Sequence, residues 1–339
     1  MKKILIAIFT LISLAAACAI AHPPKTHRLE ATPATVAYGY YWSEAPPVLR
    51  IDSGDIIDVD TLLTNTPTGL AKAGVPDDKI QASLKAIVSE VTGERRGPGG
   101  HILTGPVYVE GAEPGDVLEV KILSIELPLD YGYNGCSGYL PENCETGVPA
   151  KIIPLDRKKM TADFLPGIVI PLKPFYGSIG IAPDPAMGRL SSNPPGRHAG
   201  NLDNRELVAG STLYIPVFAR GALFEIGDGH AAQGDGEVAG TAIECGMTTE
   251  LQLDLVTDRP VAGVHAETPA GQITFGFSPD LNAAMGDALD AMLTWLQADY
   301  RVGKATALAL ASPVLDLRVT QVANQSWGIH ALLPAGAIS

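Results

Sequence analysis

Segments in which apolar and polar residues alternate recur along this chain of 339 residues. They are short and stand between turn-forming Gly, Pro and Asp residues; the clearest are residues 48–52, 55–60, 106–110, 117–126, 251–257 and 315–323. Alternation with a period of two gives a strand one apolar and one polar face, so each segment predicts a half-buried β-strand. A chain with this pattern is expected to build a mainly β fold, as a sandwich or a barrel-like structure.

Two segments predict helices. One is centred on residues 77–92, and the other begins at Ser278-Pro-Asp280 and ends near Gly303. In the second, apolar residues at helical spacing predict a stripe that faces the core, formed by Leu281, Met285, Ala288, Leu289, Met292, Leu296 and Tyr300. We therefore predict a β-rich N-terminal portion with long loops over residues 22–205, of β-sandwich or barrel-like form. A smaller α+β C-terminal portion is expected over residues 206–339.

The N-terminus has the pattern of a secretory signal peptide over residues 1–21. Two lysines after Met1 precede an apolar run over residues 4–17 and a cleavage motif of small residues that ends at Ala21. The apolar run is shorter than the ~20 residues of a membrane span, so we expect export to the periplasm or the medium without a stable span. Acylation of Cys18 as a lipoprotein is the weaker alternative, because a large aliphatic residue is expected where Ala15 stands.

The charge of the chain limits its partners. The formal net charge is −13, and loss of Lys2 and Lys3 with the signal peptide lowers it to −15. Contacts to phosphate need a basic patch, so nucleic acid is not an expected partner. The sequence also has no Gly-x-Ser-x-Gly elbow, P-loop or dinucleotide fingerprint, which gives serine hydrolases and nucleotide-dependent enzymes no support.

Three cysteines remain after cleavage at Ala21. Cys136 and Cys144 flank a loop rich in turn-forming residues, and in an oxidising compartment a disulfide between them is expected. Cys245 follows an apolar run and is expected to be a buried free thiol, because no motif supports a nucleophilic role.

Residues 227–237 contain the densest group of chemically active side chains. Asp228, His230, Asp235 and Glu237 stand among glycines and small residues, in what we predict to be a polar loop between two strands. In an extended segment Asp228 and His230 share one face, and Asp235 and Glu237 share another. Imidazole with carboxylates suits a divalent metal and also general acid–base chemistry. The plain alternative is a turn, since Asp-Gly pairs are common turn sequences.

Several blocks resemble the acetamidase/formamidase family, in order and across nearly the whole mature chain. They include Tyr108-Val-Glu-Gly-Ala-Glu-Pro-Gly-Asp116, Arg197-His-Ala-Gly-Asn-Leu-Asp-Asn-Arg-Glu-Leu207, residues 210–217 with the central block 221–237, and residues 316–322 with 330–334. The resemblance implies a mainly β fold, hydrolysis of small amides such as formamide or acetamide, a divalent-metal site and a homo-oligomer, as a dimer or a trimer. The signal peptide and the Cys136 to Cys144 loop depart from the family pattern.

The chemistry of amide hydrolysis suggests a role for each candidate residue. An amide is a poor electrophile, so the reaction needs an activated water, a polarised carbonyl and a proton for the leaving amine. We assign metal binding to Asp228, His230, Asp203, His101 and Asp60, with zinc as the expected ion and calcium as the alternative. Glu237 is assigned as the general acid–base, with Asp235 as its alternative, and Asn201 as the group that orients the substrate.

A second class of function stays open at this point. A non-enzymatic exported β-protein would use the Gly-Asp segment to hold a structural calcium ion and would bind small solutes. Oxygen-rich loops with glycine suit calcium, whereas an imidazole does not, so His230 favours the hydrolase.

Overall fold

The computed structural model describes residues 23–148, 150–257 and 263–338, so the predicted signal peptide lies outside the described residues. The strands, numbered along the chain, are β1 (Thr26–Leu29), β2 (Val36–Tyr38), β3 (Tyr40–Tyr41), β4 (Leu49–Ile51), β5 (Ile56–Asp60), β6 (Ile102–Val109), β7 (Val117–Glu126), β8 (Tyr131–Asn134), β9 (Lys151–Asp156), β10 (Thr161–Leu165), β11 (Ile168–Pro171), β12 (Phe175–Gly180), β13 (Leu190–Ser191), β14 (Ala199–Asn201), β15 (Thr212–Pro216), β16 (Phe224–Ala232), β17 (Ile243–Cys245), β18 (Thr248–Val256), β19 (His265–Thr268), β20 (Gly271–Ser278), β21 (Asp316–Gln321) and β22 (Trp327–Pro334). The helices are α1 (Pro67–Lys72), α2 (Ala82–Glu90), α3 (Leu281–Tyr300) and α4 (Lys304–Val314).

Two large sheets, mostly antiparallel, share one core, which confirms the prediction of a mainly β fold. The first sheet has the strand order β1-β5-β18-β7-β15-β19-β20-β22-β21. The second has the path β11-β10-β9-β8-β17-β16-β12-β14, with β6 joining β16 to β2 and β4. Buried side chains of both sheets form one cluster, in which Val120 and Leu251 of the first sheet meet Ile179 and Ile226 of the second. This is the arrangement of a β-sandwich.

The predicted portions 22–205 and 206–339 both contribute strands to each large sheet, so they share this core. The C-terminal α+β portion forms a smaller cluster beside it, in which α3 packs on β20 and β22 and α4 packs on α3. No helix in the described part of the chain is long and apolar enough to cross a membrane.

The helix predictions are confirmed with adjusted limits. The first helix is α2, which a short 3₁₀ turn at Asp77–Lys79 precedes. The second is α3, capped by Asp280, whose side chain accepts a hydrogen bond from the Ala283 N–H. Its buried stripe is shifted, because Met285 and Tyr300 are exposed. The buried face is Ala284, Ala288, Met292, Leu293 and Leu296. Helix α4 was not predicted.

Strand β16 is the element that positions the site. Eight of its nine residues are buried, and it pairs with β6, β12 and β17. The prediction of a loop over residues 227–237 was wrong for its first half, because residues 227–232 continue this buried strand. Its glycines permit close packing: a β-carbon at Gly227 would lie 2.5 Å from the Ile102 carbonyl oxygen, and one at Gly229 would lie 2.6 Å from that of Cys245.

Candidate metal and acid–base site

Two side chains of β16 form the centre of the site. Asp228 and His230 are two residues apart and lie on the same face of the strand, with the Asp228 Oδ2 3.5 Å from the His230 Nε2. Glu244 on the neighbouring strand β17 is the register partner of His230, and its Oε1 lies 3.2 Å from the same Nε2. All three side chains are buried. The imidazole therefore stands between two carboxylates.

Asp203 and Glu237 form a second group with the same imidazole. Ligand atoms of Asp203, His230 and Glu237 lie within 4.8 Å of one another, as do those of Asp228, His230 and Glu244. His230 thus belongs to both groups, and all five side chains are buried. Four carboxyl groups around one buried imidazole are too costly to keep charged without a cation.

Hydrogen bonds hold Asp203 in place. The amide nitrogen of Asn201 donates to the Asp203 Oδ2 at 3.0 Å, while its amide oxygen accepts from the Ser178 hydroxyl at 2.7 Å. Gln233 donates to the Asp203 carbonyl oxygen at 2.7 Å. Both ends of the Asn201 amide are thus engaged, and its side chain helps to orient Asp203.

The backbone at three of the acidic residues is in the left-handed region, which side chains rarely adopt. The φ angles are 51° at Asp203, 58° at Asp228 and 45° at Glu237. Each such residue costs about 1–3 kcal/mol and persists where the surrounding structure enforces it, most often at functional sites. That three carboxylates of one cluster share this conformation indicates a function beyond packing.

The protonation of the acids follows from burial and mutual repulsion. Burial and the charge of Asp228 raise the pKa of Asp203 to about 7. Burial and the charge of Asp203 raise the pKa of Glu237 well above its usual range. Burial also opposes the charge of Asp228, but the imidazoles of His101 and His230 outweigh it and hold the pKa of Asp228 below its usual range. The cluster therefore combines one carboxyl group that favours its charged form, Asp228, with two that favour their neutral form, Asp203 and Glu237.

The donor atoms fit a divalent metal. The His230 Nδ1, the Asp203 Oδ1 and the Glu244 Oε2 are buried and have no hydrogen-bond partner, while the His230 Nε2 faces the carboxylates of Asp228 and Glu244. Gly177 on β12 leaves space beside two of the carboxylates: a β-carbon there would lie 2.5 Å from both the Asp203 Oδ1 and the Asp228 Oδ2. Imidazole nitrogen with carboxylate oxygens suits zinc and other borderline divalent ions, and nothing in the geometry selects among them.

The remaining assigned residues lie at different distances from this cluster. His101 lies at its edge, with its Nε2 3.7 Å from the Asp228 Oδ2 and its Nδ1 3.0 Å from the Ser192 hydroxyl. Asp235 is exposed on the loop before Glu237. The structure does not bring Asp60 to the cluster: its carboxylate accepts from Thr248 at 2.7 Å and pairs with Arg28. Alternation along β5 turns Asp58 and Asp60 to the same, partly exposed side.

Sequence reasoning missed Glu244 and Gly177. Glu244 is a charged residue between Ile243 and Cys245 in an apolar segment, and a buried acid of this kind needs a partner. The sequence therefore indicated a buried acid but did not show which residue is its partner. Gly177 gave no signal, because its role depends on residues of β16 that pair with β12.

A disulfide-closed loop supports the segment that follows Glu237. Cys136 and Cys144 form the expected disulfide. Within the loop, the N–H of Ser137 donates to the Ala239 carbonyl and that of Tyr139 to the Val238 carbonyl, both at 2.9 Å. Cys245 is the expected buried free thiol, and burial raises its pKa, so it is not an activated nucleophile.

A cavity of about 690 Å³ lies beside the cluster. Glu237, Gln233 and Asp235 are among the residues that line it, so it adjoins the acid–base group. The cluster itself is otherwise enclosed by β12, β16 and β17.

Comparison with known proteins gives a consistent result. A model of the acetamidase/formamidase family matches residues 38–193 and 189–274, which is more than half of the chain. The chain is 30% identical over 212 residues to a formamidase of Methylophilus methylotrophus, in a match that covers 47% of this chain and 52% of the relative. It is 28% identical over 218 residues to an acetamidase of Mycolicibacterium smegmatis, covering 46% and 53%. The chain spans about half the length of these curated relatives.

A solved structure matches over nearly the whole length of both chains. The crystal structure of an acetamidase from Bacillus halodurans superposes with a TM-score of 0.75 at 29% sequence identity. The match covers 91% of this chain and 97% of that chain. The similarity therefore extends over nearly the whole fold.

Proposed function

The chain belongs to the acetamidase/formamidase family, and from this membership and the geometry of the site we propose that it hydrolyses small linear amides to a carboxylate and ammonia with the aid of a divalent metal. The observation that carries the proposal is the meeting of two metal-binding groups at His230, beside Glu237, whose pKa is raised by burial. Amides are the substrates in the names of the relatives, formamidase and acetamidase.

Each residue of the cluster has its own role in the proposed reaction. His230, Asp228, Asp203 and Glu244 would hold the ion, and His101 would stand beside Asp228. When bound, a divalent ion supplies Lewis acidity for the amide carbonyl and for water. Asn201 holds Asp203 in position, and Glu237 holds the proton that the leaving amine needs. We assign zinc as the ion, with calcium as the alternative that metal analysis distinguishes.

We also propose that the protein is exported from the cytoplasm. The predicted signal peptide over residues 1–21 and the disulfide between Cys136 and Cys144 both suit an oxidising compartment. Mass spectrometry of the mature N-terminus would distinguish His22 as the first residue from an acylated Cys18. Light scattering of the purified protein would test the proposed dimer or trimer.

The test of the reaction is ammonia release from formamide and acetamide by the mature protein, with its metal content measured. We expect release that a chelator abolishes and that added zinc restores. The Glu237→Gln variant should retain the metal and lose about 10²–10⁴-fold in kcat, because it removes the proton donor and keeps the shape. The paired Asp235→Asn variant should lose much less, since Asp235 is exposed at the rim.

Two outcomes would contradict these assignments. Unchanged activity in Glu237→Gln together with a large loss in Asp235→Asn would transfer the acid–base role to Asp235. No ammonia from any amide, by a folded protein that contains stoichiometric metal, would reject the hydrolase. Stoichiometric calcium in such an inactive protein would favour the solute-binding alternative.

The disulfide gives a second prediction. The free energy of unfolding of the Cys136→Ser/Cys144→Ser variant should be about 2 kcal/mol lower, because its unfolded chain is no longer cross-linked over a short loop. Its kcat should also fall at unchanged metal content, since the loop donates hydrogen bonds to residues 238 and 239 next to Glu237. Thermal unfolding and kinetics with and without a dithiol measure both effects. The dithiol should reproduce the loss in the natural protein and leave the variant unchanged; equal kcat in all samples would show that the loop does not support Glu237.

A further inference from the structure

The cavity beside Glu237 is much larger than the amides in the relatives' names require. Its volume is about 690 Å³, within the ~300–1,000 Å³ range of pockets that bury drug-sized ligands. Formamide and acetamide contain three and four non-hydrogen atoms, whereas a water molecule takes about 30 Å³ of liquid volume. A small amide would leave most of this cavity to water.

Much of the cavity wall is apolar. Phe164 on β10, Ile170 on β11, Leu172 and Ile243 are among the residues that line it. Phe164 and Ile170 are partly buried and pack against the main core. A cavity with an apolar wall gains affinity from apolar surface of the ligand, at about 25 cal/mol per Å² removed from water.

The polar residues of the lining connect the cavity with the candidate metal site. Glu237, Gln233 and Asp235 line it, and Glu237 belongs to one of the two metal-binding groups. Gln233 also donates to the Asp203 carbonyl oxygen at 2.7 Å, so this part of the cavity adjoins the candidate metal site.

We propose that the substrates of this site are amides with an apolar substituent larger than methyl, which lies along Phe164 and Ile170 while the amide group lies beside Glu237 and Gln233. This inference rests on the proposed function and narrows its substrate class. Ile170 is then a residue that determines specificity through the size of the cavity.

The strand pairing of β10 with β11 provides a matched pair of variants. Ile170 is the partner of the fully buried Ala162, so its side chain points inward. Val169 is the partner of the exposed Asp163, and its own side chain is 57% exposed. Tryptophan at position 170 therefore fills the cavity, whereas tryptophan at position 169 adds the same bulk to the outer face of the hairpin.

The experiment measures kcat/KM for acetamide, isobutyramide, phenylacetamide and N-benzylacetamide with the natural protein, Ile170→Trp and Val169→Trp. We expect at least one of the larger amides to exceed acetamide by about tenfold or more, because one methylene in an apolar pocket is already worth about 10–200-fold. Ile170→Trp should lower the ratio of kcat/KM for that larger amide to kcat/KM for acetamide by about tenfold or more, because the added side chain fills the space that the substituent would occupy. Val169→Trp should behave as the natural protein does.

The outcomes separate this inference from the proposed function. Hydrolysis of formamide or acetamide with all larger amides inert would overturn the inference and leave the proposed function in place. An equal loss on every substrate in Ile170→Trp would also overturn it, because a cavity that selects by size must discriminate. If no amide at all is hydrolysed, the proposed function itself fails.

Discussion

Replacement of His230 by alanine is expected to abolish metal binding and to lower kcat/KM by about 10³-fold or more. His230 is the imidazole that both metal-binding groups share, and it is buried between Asp228 and Glu244. Without it no nitrogen ligand remains in either group. An ion contributes several kcal/mol to the transition state, and each ~1.4 kcal/mol corresponds to a factor of ten in rate. Metal analysis of the purified variant and kinetics on the amide panel measure the two losses.

The His230→Ala variant also tests the electrostatics. Removal of one partner from a buried charged cluster typically costs about 3–5 kcal/mol, so its metal-free form should unfold at a lower temperature than the metal-free natural protein. His265→Ala is the matched control. His265 is on β19 in the other sheet and stacks on Tyr214, so its loss should leave metal content and kcat/KM unchanged. A folded His230→Ala protein with full metal content and full activity would contradict the assignment.

The centre of this site follows from local sequence because its geometry is local. Asp228 and His230 share a face at a spacing of two residues whether the segment is read as a loop edge or as a strand. Asp203 was predicted from a separate sequence block, residues 197–207, and the structure brings its side chain to the same imidazole. The error over residues 227–232 arose because glycine was interpreted as a turn former. Here Gly227 and Gly229 serve the close approach of neighbouring strands.

What the sequence could not provide is the pairing of distant strands. Glu244 reaches His230 because β17 lies beside β16, and no spacing rule predicts which strands become neighbours. Asp60 is the opposite case, a residue that was predicted at the site and does not reach it. The alternating pattern correctly placed Asp60 on a strand, but it does not give the position of that strand relative to the site. Local pattern therefore predicts which face a residue occupies, while the long-range topology decides what that face meets.

Gly177→Ala is a substitution for which this topology predicts a large loss of activity from a single methyl group. Gly177 lies on β12 between the register pairs of Tyr176 with Gly229 and of Ser178 with Gly227, opposite Asp228. A β-carbon would stand 2.5 Å from both the Asp203 Oδ1 and the Asp228 Oδ2, distances that real β-carbons do not show. Both carboxylates must then move, and a displacement of ~1 Å at a reacting centre can cost about 10²-fold in rate. We expect that loss in kcat/KM, together with weaker metal binding measured by competition with a chelator.

A second glycine separates this local effect from the general effect of alanine. Gly286 lies in α3 with no atom within 4 Å of an added β-carbon. Because alanine is favoured over glycine inside a helix by about 0.5–1 kcal/mol, Gly286→Ala should raise the unfolding temperature and leave activity and metal affinity unchanged. Gly177→Ala should instead lower stability by about 1–3 kcal/mol, as overpacking does in a buried site. Natural metal affinity in Gly177→Ala would show that the space in front of this glycine is not where Asp203 and Asp228 hold the ion, and the metal would then have to lie on the Glu244 side of His230.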